Sequence, residues 1–379
     1  MRRLTGGIIF LIFSININQA WSLEFECALP QESKLQSIRK VHFGFAYPVD
    51  SFLSFAAYKA DVFLVCGGSD FSTLEPLCIF PAREATKITI FGNEYNNFIV
   101  PAIGGYCGDF VWHGNNINRP YQNYFDKTSP HLAELLIFGR GGDDFLTGLQ
   151  DEQTKNFIFG DYGPGEPYEF AGPGFDIIHG GPGDDTIYGE DLDDIIYGYN
   201  GDDYLVGGQA SGCYEFPAIV DEDIIFGGPG SDTIFGDTDG ACETKDILCG
   251  SGVDPTTGVG IESNRFYKDR LSGQGGADTI IGGQGDDALA GDISPWNEED
   301  ILCGGLGRDS FSSDSPDVVY YETVGEPNDE IDHRILKHTM TPPTKHACTW
   351  NELCPPERAG QEGSPGEIDP THWPYGGLK

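Results

Sequence analysis

Thirteen aspartates recur at the sixth place of a nine-residue row: Asp144, Asp176, Asp185, Asp194, Asp203, Asp223, Asp232, Asp246, Asp269, Asp278, Asp287, Asp300 and Asp309. Residues 180–188, Gly-Gly-Pro-Gly-Asp-Asp-Thr-Ile-Tyr, show the row, which reads G-G-x-G-x-D-x-U-x with U a large apolar residue. Two places after every one of these aspartates stands an apolar side chain, from Leu146 through Ile187 and Ile196 to Phe311. Carboxylates at a fixed interval beside glycine-rich turns are hard oxygen ligands, so the chemistry they suit is the binding of a hard divalent cation. Calcium takes ~6–8 oxygens at ~2.3–2.6 Å and accepts carboxylates and peptide carbonyls alike. Magnesium demands a smaller, stricter octahedron and holds its water, and the repeating positions form no column of the imidazoles or thiolates that softer metals prefer.

The elements that position this column follow from the rest of the row. Glycine-rich halves turn tightly and aim carbonyls inward. The closing triplets, such as Thr-Ile-Tyr, favour short strands whose middle residue points to the opposite face from its neighbours. Two rows make one coil, strands 18 residues apart stack in parallel, and the Ile and Leu columns of two sheets meet inside. Asp185 and Asp203 then lie one coil apart, ~5 Å at normal strand spacing. Like charges at that distance repel by ~3 kcal/mol at an effective dielectric near 20. A row buries one large apolar residue, too little to offset the ordering of nine residues. It needs a cation, and a chain deprived of it is expected to be largely unfolded.

These rows resemble the repeats-in-toxin family, the haemolysin-type calcium-binding repeats. The resemblance covers roughly residues 139–312 and implies an all-β fold: a right-handed parallel β-roll solenoid built from nonapeptide repeats, with Ca²⁺ held between consecutive turns. Carried over row by row, it makes Asp144, Asp176, Asp185, Asp194, Asp203, Asp223, Asp232, Asp278, Asp287 and Asp309 carboxylate ligands of several Ca²⁺ ions. Asp246, Asp269 and Asp300 belong to the same set but follow turns replaced by insertions, and the turn before Asp223 is interrupted too. The chain departs from the bacterial members in having an N-terminal leader and ten cysteines, so neither their one-step export nor their toxin activity carries over.

Composition agrees with a cation-binding, folded protein. Lys and Arg total 22 against 60 Asp and Glu, for a formal net charge of −38. Such a surface repels nucleic acid and anionic lipid and leaves no long apolar segment for membrane insertion. Residues 1–22, with Arg2 and Arg3 before "GGIIFLIF" and small residues in "AWS", read as a secretory signal peptide. Ten cysteines in a secreted chain read as disulfides, and no Cys-x2-Cys spacing suggests zinc.

Insertions interrupt the rows at about 207–221, 236–245, 250–267 and 291–299. Row counting sends the first, second and fourth to one edge of the roll, which brings Cys213 near Cys242 as an expected disulfide. Cys249 and Cys303 end strands two coils apart, too far to bridge directly. "GNEYNNFIV" at 92–100 and "GLQDEQTKNFIFG" at 148–160 are worn rows with Asn97 and Asn156 in the aspartate column, so the roll is expected to begin near residue 86. The organisation reads as a signal peptide (1–22), a disulfide-containing β-rich N-terminal region or cap (23–130), the calcium-binding β-roll with loop insertions (131–322) and a loose Cys- and Pro-containing tail (323–379). Within "SPDVVYYETVGEPNDEID", residues 315–332, one or two closing strands are expected.

No catalytic signature accompanies the repeats. His-Glu-x-x-His and Gly-x-Ser-x-Gly are both absent, and none of the eight histidines is paired at ligand spacing. His179 ends a strand row and is expected to face outward. The sequence therefore reads as a secreted, extracellular, non-enzymatic structural protein, with calcium ions as partners. An extracellular matrix and calcium mineral are its expected setting, because acids left over after site filling form an anionic face. Two alternatives stand beside it. One is a calcium-stabilised glycan-modifying enzyme or other hydrolase with its site in residues 23–130. The other is an adhesin or toxin-like binder using loops on the roll.

Overall fold

A computed structural model describes residues 23–29, 40–46, 62–68, 75–81, 85–101, 132–149, 152–162, 174–208, 222–236, 246–250, 268–292, 300–306, 309–312, 318–320 and 330–331. All regular structure among them is β. The first strands are β1 (Leu23–Ala28), β2 (Lys40–Ala46), β3 (Val62–Gly68), β4 (Glu75–Pro81), β5 (Ala85–Phe91) and β6 (Phe98–Pro101). The repeat region follows with β7 (Glu134–Phe138), β8 (Phe145–Thr147), β9 (Lys155–Phe159), β10 (Ile177–His179), β11 (Thr186–Glu190) and β12 (Ile195–Tyr197). It continues as β13 (Tyr204–Gly208), β14 (Ile224–Phe226), β15 (Thr233–Phe235), β16 (Ile247–Cys249), β17 (Arg270–Gln274), β18 (Thr279–Gln284), β19 (Ala288–Asp292), β20 (Ile301–Leu306) and β21 (Ser310–Ser312). β22 (Val318–Tyr320) and β23 (Glu330–Ile331) close it.

Odd and even strands part into two sheets, as a roll of two strands per coil requires. One sheet runs β1-β5-β7-β9-β11-β13-β15-β17-β19-β21-β23, and the other runs β22-β20-β18-β16-β14-β12-β10-β8-β6-β2-β3-β4. Register matches the nine-residue phase: Ile187 pairs with Leu205 and Ile178 with Ile196, all in parallel strands. The middle residue of each triplet points between the sheets. Ile187, Ile196, Leu205, Ile225, Ile234, Leu248, Ile280 and Leu302 have no exposed surface at all, each burial contributing ~2–3 kcal/mol.

Parallel pairing reaches further back than residue 86. β1 pairs with β5 and β2 with β6, so the N-terminal strands continue both sheets. β3 and β4 then run antiparallel on β2 and end the second sheet. A Cys27–Cys78 disulfide ties β1 to β4 across a sequence separation of 51. Cys66, Cys249 and Cys303 are disulfide-bonded as well, and Cys249 and Cys303 stand two rungs apart on either side of Ile281. The expected Cys213–Cys242 pair lies outside the described residues. At the other end, β22 and β23 supply one closing strand to each sheet.

The outer faces carry ring ladders. Phe91, Phe138, Phe159 and Tyr188 stack at 5.0, 4.9 and 5.3 Å on one sheet, close to the ~4.8 Å strand spacing. On the other sheet His179 lies against Tyr197 at 4.8 Å and Phe145 at 5.1 Å. His179 thus points to the outer face but is buried there, contrary to the solvent-facing place its row position suggests. Burial without a countercharge holds its imidazole neutral, with the pKa lowered to about 3.

Candidate metal centre

Every sequence-identified aspartate sits immediately before a strand, and all thirteen are at most 2 % exposed. They form two ladders, one per sheet. Along one, the amides of Asn156, Asp185, Asp203, Asp232, Asp269 and Asp287 each donate to Oδ1 of the next rung's aspartate, ending at Asp309, over 2.8–3.0 Å. Along the other, Asn97, Asp144, Asp176, Asp194, Asp223, Asp246 and Asp278 donate in the same way, ending at Asp300, over 2.5–3.0 Å. Asp246, Asp269 and Asp300 keep their rungs despite the insertions before them, because an inserted loop lengthens a turn without moving the strand that follows. The first, second and fourth insertions lead into β14, β16 and β20 of one sheet, and the third leads into β17 of the other.

Each carboxylate therefore spends one oxygen on structure. The second oxygen, Oδ2, has no hydrogen-bond partner on Asp144, Asp176, Asp185, Asp203, Asp232 and Asp287. A buried polar atom left unpaired costs about 1–3 kcal/mol, more for a charged group. Six of them along two columns call for a ligand rather than tolerance. Glycine carbonyls converge on the same points. A Cβ built on Gly160 would lie 2.1 Å from Asp176 Oδ2 and 2.2 Å from the Gly189 carbonyl oxygen, and one on Gly198 would lie 2.4 Å from Asp203 Oδ2 and 2.7 Å from the Gly227 oxygen. Only glycine leaves carboxylate and carbonyl oxygens this close around one point. Among the described residues no three His, Cys, Asp or Glu side chains group tightly enough to hold an ion by themselves. Coordination must draw on backbone carbonyls, which suits calcium.

Electrostatics says the same. Burial, and then the neighbouring Asp185 and Asp232, push the Asp203 carboxyl well above the ordinary carboxylate range. Burial and Asp176 do so at Asp144, while burial and Asp269 take Asp287 up to about 8. These carboxylates resist ionising side by side unless positive charge sits among them.

Asn97 and Asn156 head the two ladders and differ from the rungs below. Asn97 Oδ1 accepts the Asn93 amide at 2.9 Å and its Nδ2 donates to Asn93 Oδ1 at 3.0 Å. Asn156 Oδ1 accepts the Leu149 amide at 2.8 Å, and its Nδ2 donates to Asp185 Oδ1 at 2.9 Å. These worn rows satisfy themselves by hydrogen bonds alone. The nonapeptide pattern passes over Asp161 and Glu190, which occupy the second place of their turns; a carboxylate directly after the first turn glycine is the signal that marks them.

Two parallel sheets with a buried carboxylate ladder at the head of each strand define a solenoid of cation-binding turns. The family model of the RTX calcium-binding nonapeptide repeat matches four segments of the chain, residues 170–191, 193–211, 221–239 and 266–293. The chain thus carries RTX repeats, and such repeats bind calcium ions at multiple sites. Comparison with curated proteins and with solved structures returned no match.

Proposed function

We propose that the protein is a secreted calcium-binding structural protein of an extracellular matrix, associated with calcium mineral, and that the thirteen aspartates of the two ladders are its calcium ligands. The observation that supports the ligand assignment is the divided use of the carboxylates at Asp144, Asp176, Asp185, Asp203 and Asp287: Oδ1 ties coil to coil, and Oδ2, buried beside a glycine carbonyl, is left for an ion. Calcium titration of the full chain by calorimetry tests it. Several equivalents should bind, and Asp203→Asn should lose or weaken the equivalent at its own rung without disturbing the Asp185 amide contact. Unchanged stoichiometry and affinity in that variant would overturn the assignment.

The mineral association rests on the acids outside the ladders. Asp143, Asp184, Asp202, Glu222 and Asp286, each directly before a ladder aspartate, are exposed. The Asp202 amide donates to Asp184 Oδ1 at 3.1 Å, and the Ser231 amide to Asp202 Oδ1 at 2.9 Å. Exposed carboxylates are thereby set on adjacent rungs at Asp184 and Asp202, an anionic patch facing solvent. Retention on calcium carbonate or phosphate and altered crystal growth at micromolar protein are the expected results. Failure on both counts would remove mineral from the proposal. Ten cysteines and the leader-like residues 1–22 support secretion. Antibody detection in culture medium rather than cell lysate checks it.

A further inference from the structure

Among the described residues, one carboxylate outside the ladders is buried with an oxygen that has no hydrogen-bond partner. Asp161 follows Gly160 in the turn that closes β9, and it has no exposed surface. Its Oδ2 accepts the Asp191 amide at 3.3 Å, while its Oδ1 has no partner. The groups facing it are acids. Burial, then Asp176, then Glu190 raise its carboxyl to about 10. Asp176 stands on the same rung, directly before β10, and its own unpartnered Oδ2 lies where a Cβ on Gly160 would fall, with the Gly189 carbonyl oxygen of the next turn beside it. Glu190, held at a left-handed φ of 86°, turns its carboxylate back to accept the Tyr162 amide. Arg140, at the same place on the preceding rung, lays its guanidinium over the Phe91 ring at 4.8 Å.

We propose that the turns Gly160–Tyr162 and Gly189–Asp191, together with Asp176, form a calcium site enriched beyond the nonapeptide pattern, in which Asp161 Oδ1 and Asp176 Oδ2 are both ligands and Glu190 adds a third negative charge at its rim. The proposal rests on the reading of the aspartate ladders as calcium ligands and adds Asp161 to them. Two buried carboxylates, each with an unpartnered oxygen, give this turn more charge than its neighbours, whose second places hold Arg140 on one side and Gly208 on the other. Calcium affinity rises with the number of charged ligands, so this site fills first as calcium is raised.

Calorimetric calcium titration of the full chain, refolded in saturating calcium and then depleted, tests the proposal. The wild type should show one equivalent tighter than the rest. Asp161→Asn keeps an acceptor for the Asp191 amide but removes the charge, and should weaken that equivalent roughly tenfold while leaving the others in place. Glu190→Gln keeps the Tyr162 contact and should weaken the same equivalent by a smaller factor; if the Asp161 variant does not fold, this one carries the test. Asp184→Asn, an exposed acid on the opposite edge, serves as control. If both variants titrate like the wild type, the extra ligand is refuted and the ladders stand. If the wild type binds no calcium, the ladders fall and this site with them.

Discussion

Removing calcium should unfold the roll at neutral pH, and acid should restore it without calcium. One ladder holds five adjacent aspartate pairs and the other six. At the ~4.8 Å rung spacing and an effective dielectric near 20, each ionised pair repels by about 3 kcal/mol. Full ionisation of both ladders would then cost roughly 30–40 kcal/mol, several times the 5–15 kcal/mol of net stability a domain has. The ion-free roll must either bind protons or unfold. Folded-state carboxyl pKa values are raised, at Asp287 to about 8 and in the same direction at Asp144, Asp185, Asp203 and Asp232. The ion-free fold is therefore most stable below the ordinary carboxylate pKa of about 4 and loses stability as pH rises through the folded values. Far-UV circular dichroism in EGTA should show the β signal at pH 4, lose it by pH 7.5, and regain it at pH 7.5 on adding calcium. Near-UV signal distinguishes a native roll at pH 4 from a collapsed acid state. Protein that keeps its full spectrum and melting temperature in EGTA at pH 7.5 would refute the reasoning, as would an ion-free form more stable at pH 8 than at pH 5.

Gly198→Ala would place a methyl 2.4 Å from Asp203 Oδ2, and should raise the calcium midpoint for folding at least severalfold, read by circular dichroism across a calcium series. Asn156→Asp sets a second carboxylate where an amide now donates to Asp185 Oδ1 at 2.9 Å; it should raise the same midpoint by adding a like charge to the head of the ladder. Replacing Cys27 and Cys78 with serine releases a loop of 51 residues and should destabilise the chain by up to about 4 kcal/mol in chain-entropy terms, seen as a lower melting temperature in calcium. His179, with its pKa lowered to about 3 by burial, favours the folded state above its ordinary value of about 6.5, and that contribution is lost as pH falls from there by roughly 1.4 kcal/mol per unit. His179→Phe should flatten the acid limb of the calcium-loaded melting curve relative to wild type.

Asp185, Ile187 and their counterparts were legible because a nine-residue phase leaves no freedom: two rows per coil put Asp185 beside Asp203 and Ile187 beside Leu205 without further information. The same arithmetic placed Asn97 and Asn156 in the column. Their self-satisfied amides were not legible, since Asn93 and Leu149 come into reach only once the turns have closed. The start of the roll at Leu23 was hidden for a related reason. β1 and β2 pair like repeat strands but lack the preceding glycine turn and aspartate, so pairing persists where the pattern has gone. His179 shows the limit of alternation. Its side is outward by count, yet stacked rings make that outward face a second buried layer. Asp161 escaped because the pattern fixes its sixth place and leaves its second place open.

An asparagine at the top of each column has a consequence for how the molecule is made. The first rung completes its own bonding, so a template stands ready before any ion arrives. Every later rung offers an acceptor to the amide above it and then waits for metal. A chain emerging with its N-terminus first can thus wind like thread onto a finished spool, advancing only as far as the surrounding calcium permits, and shortened versions ending at a whole coil should remain wound.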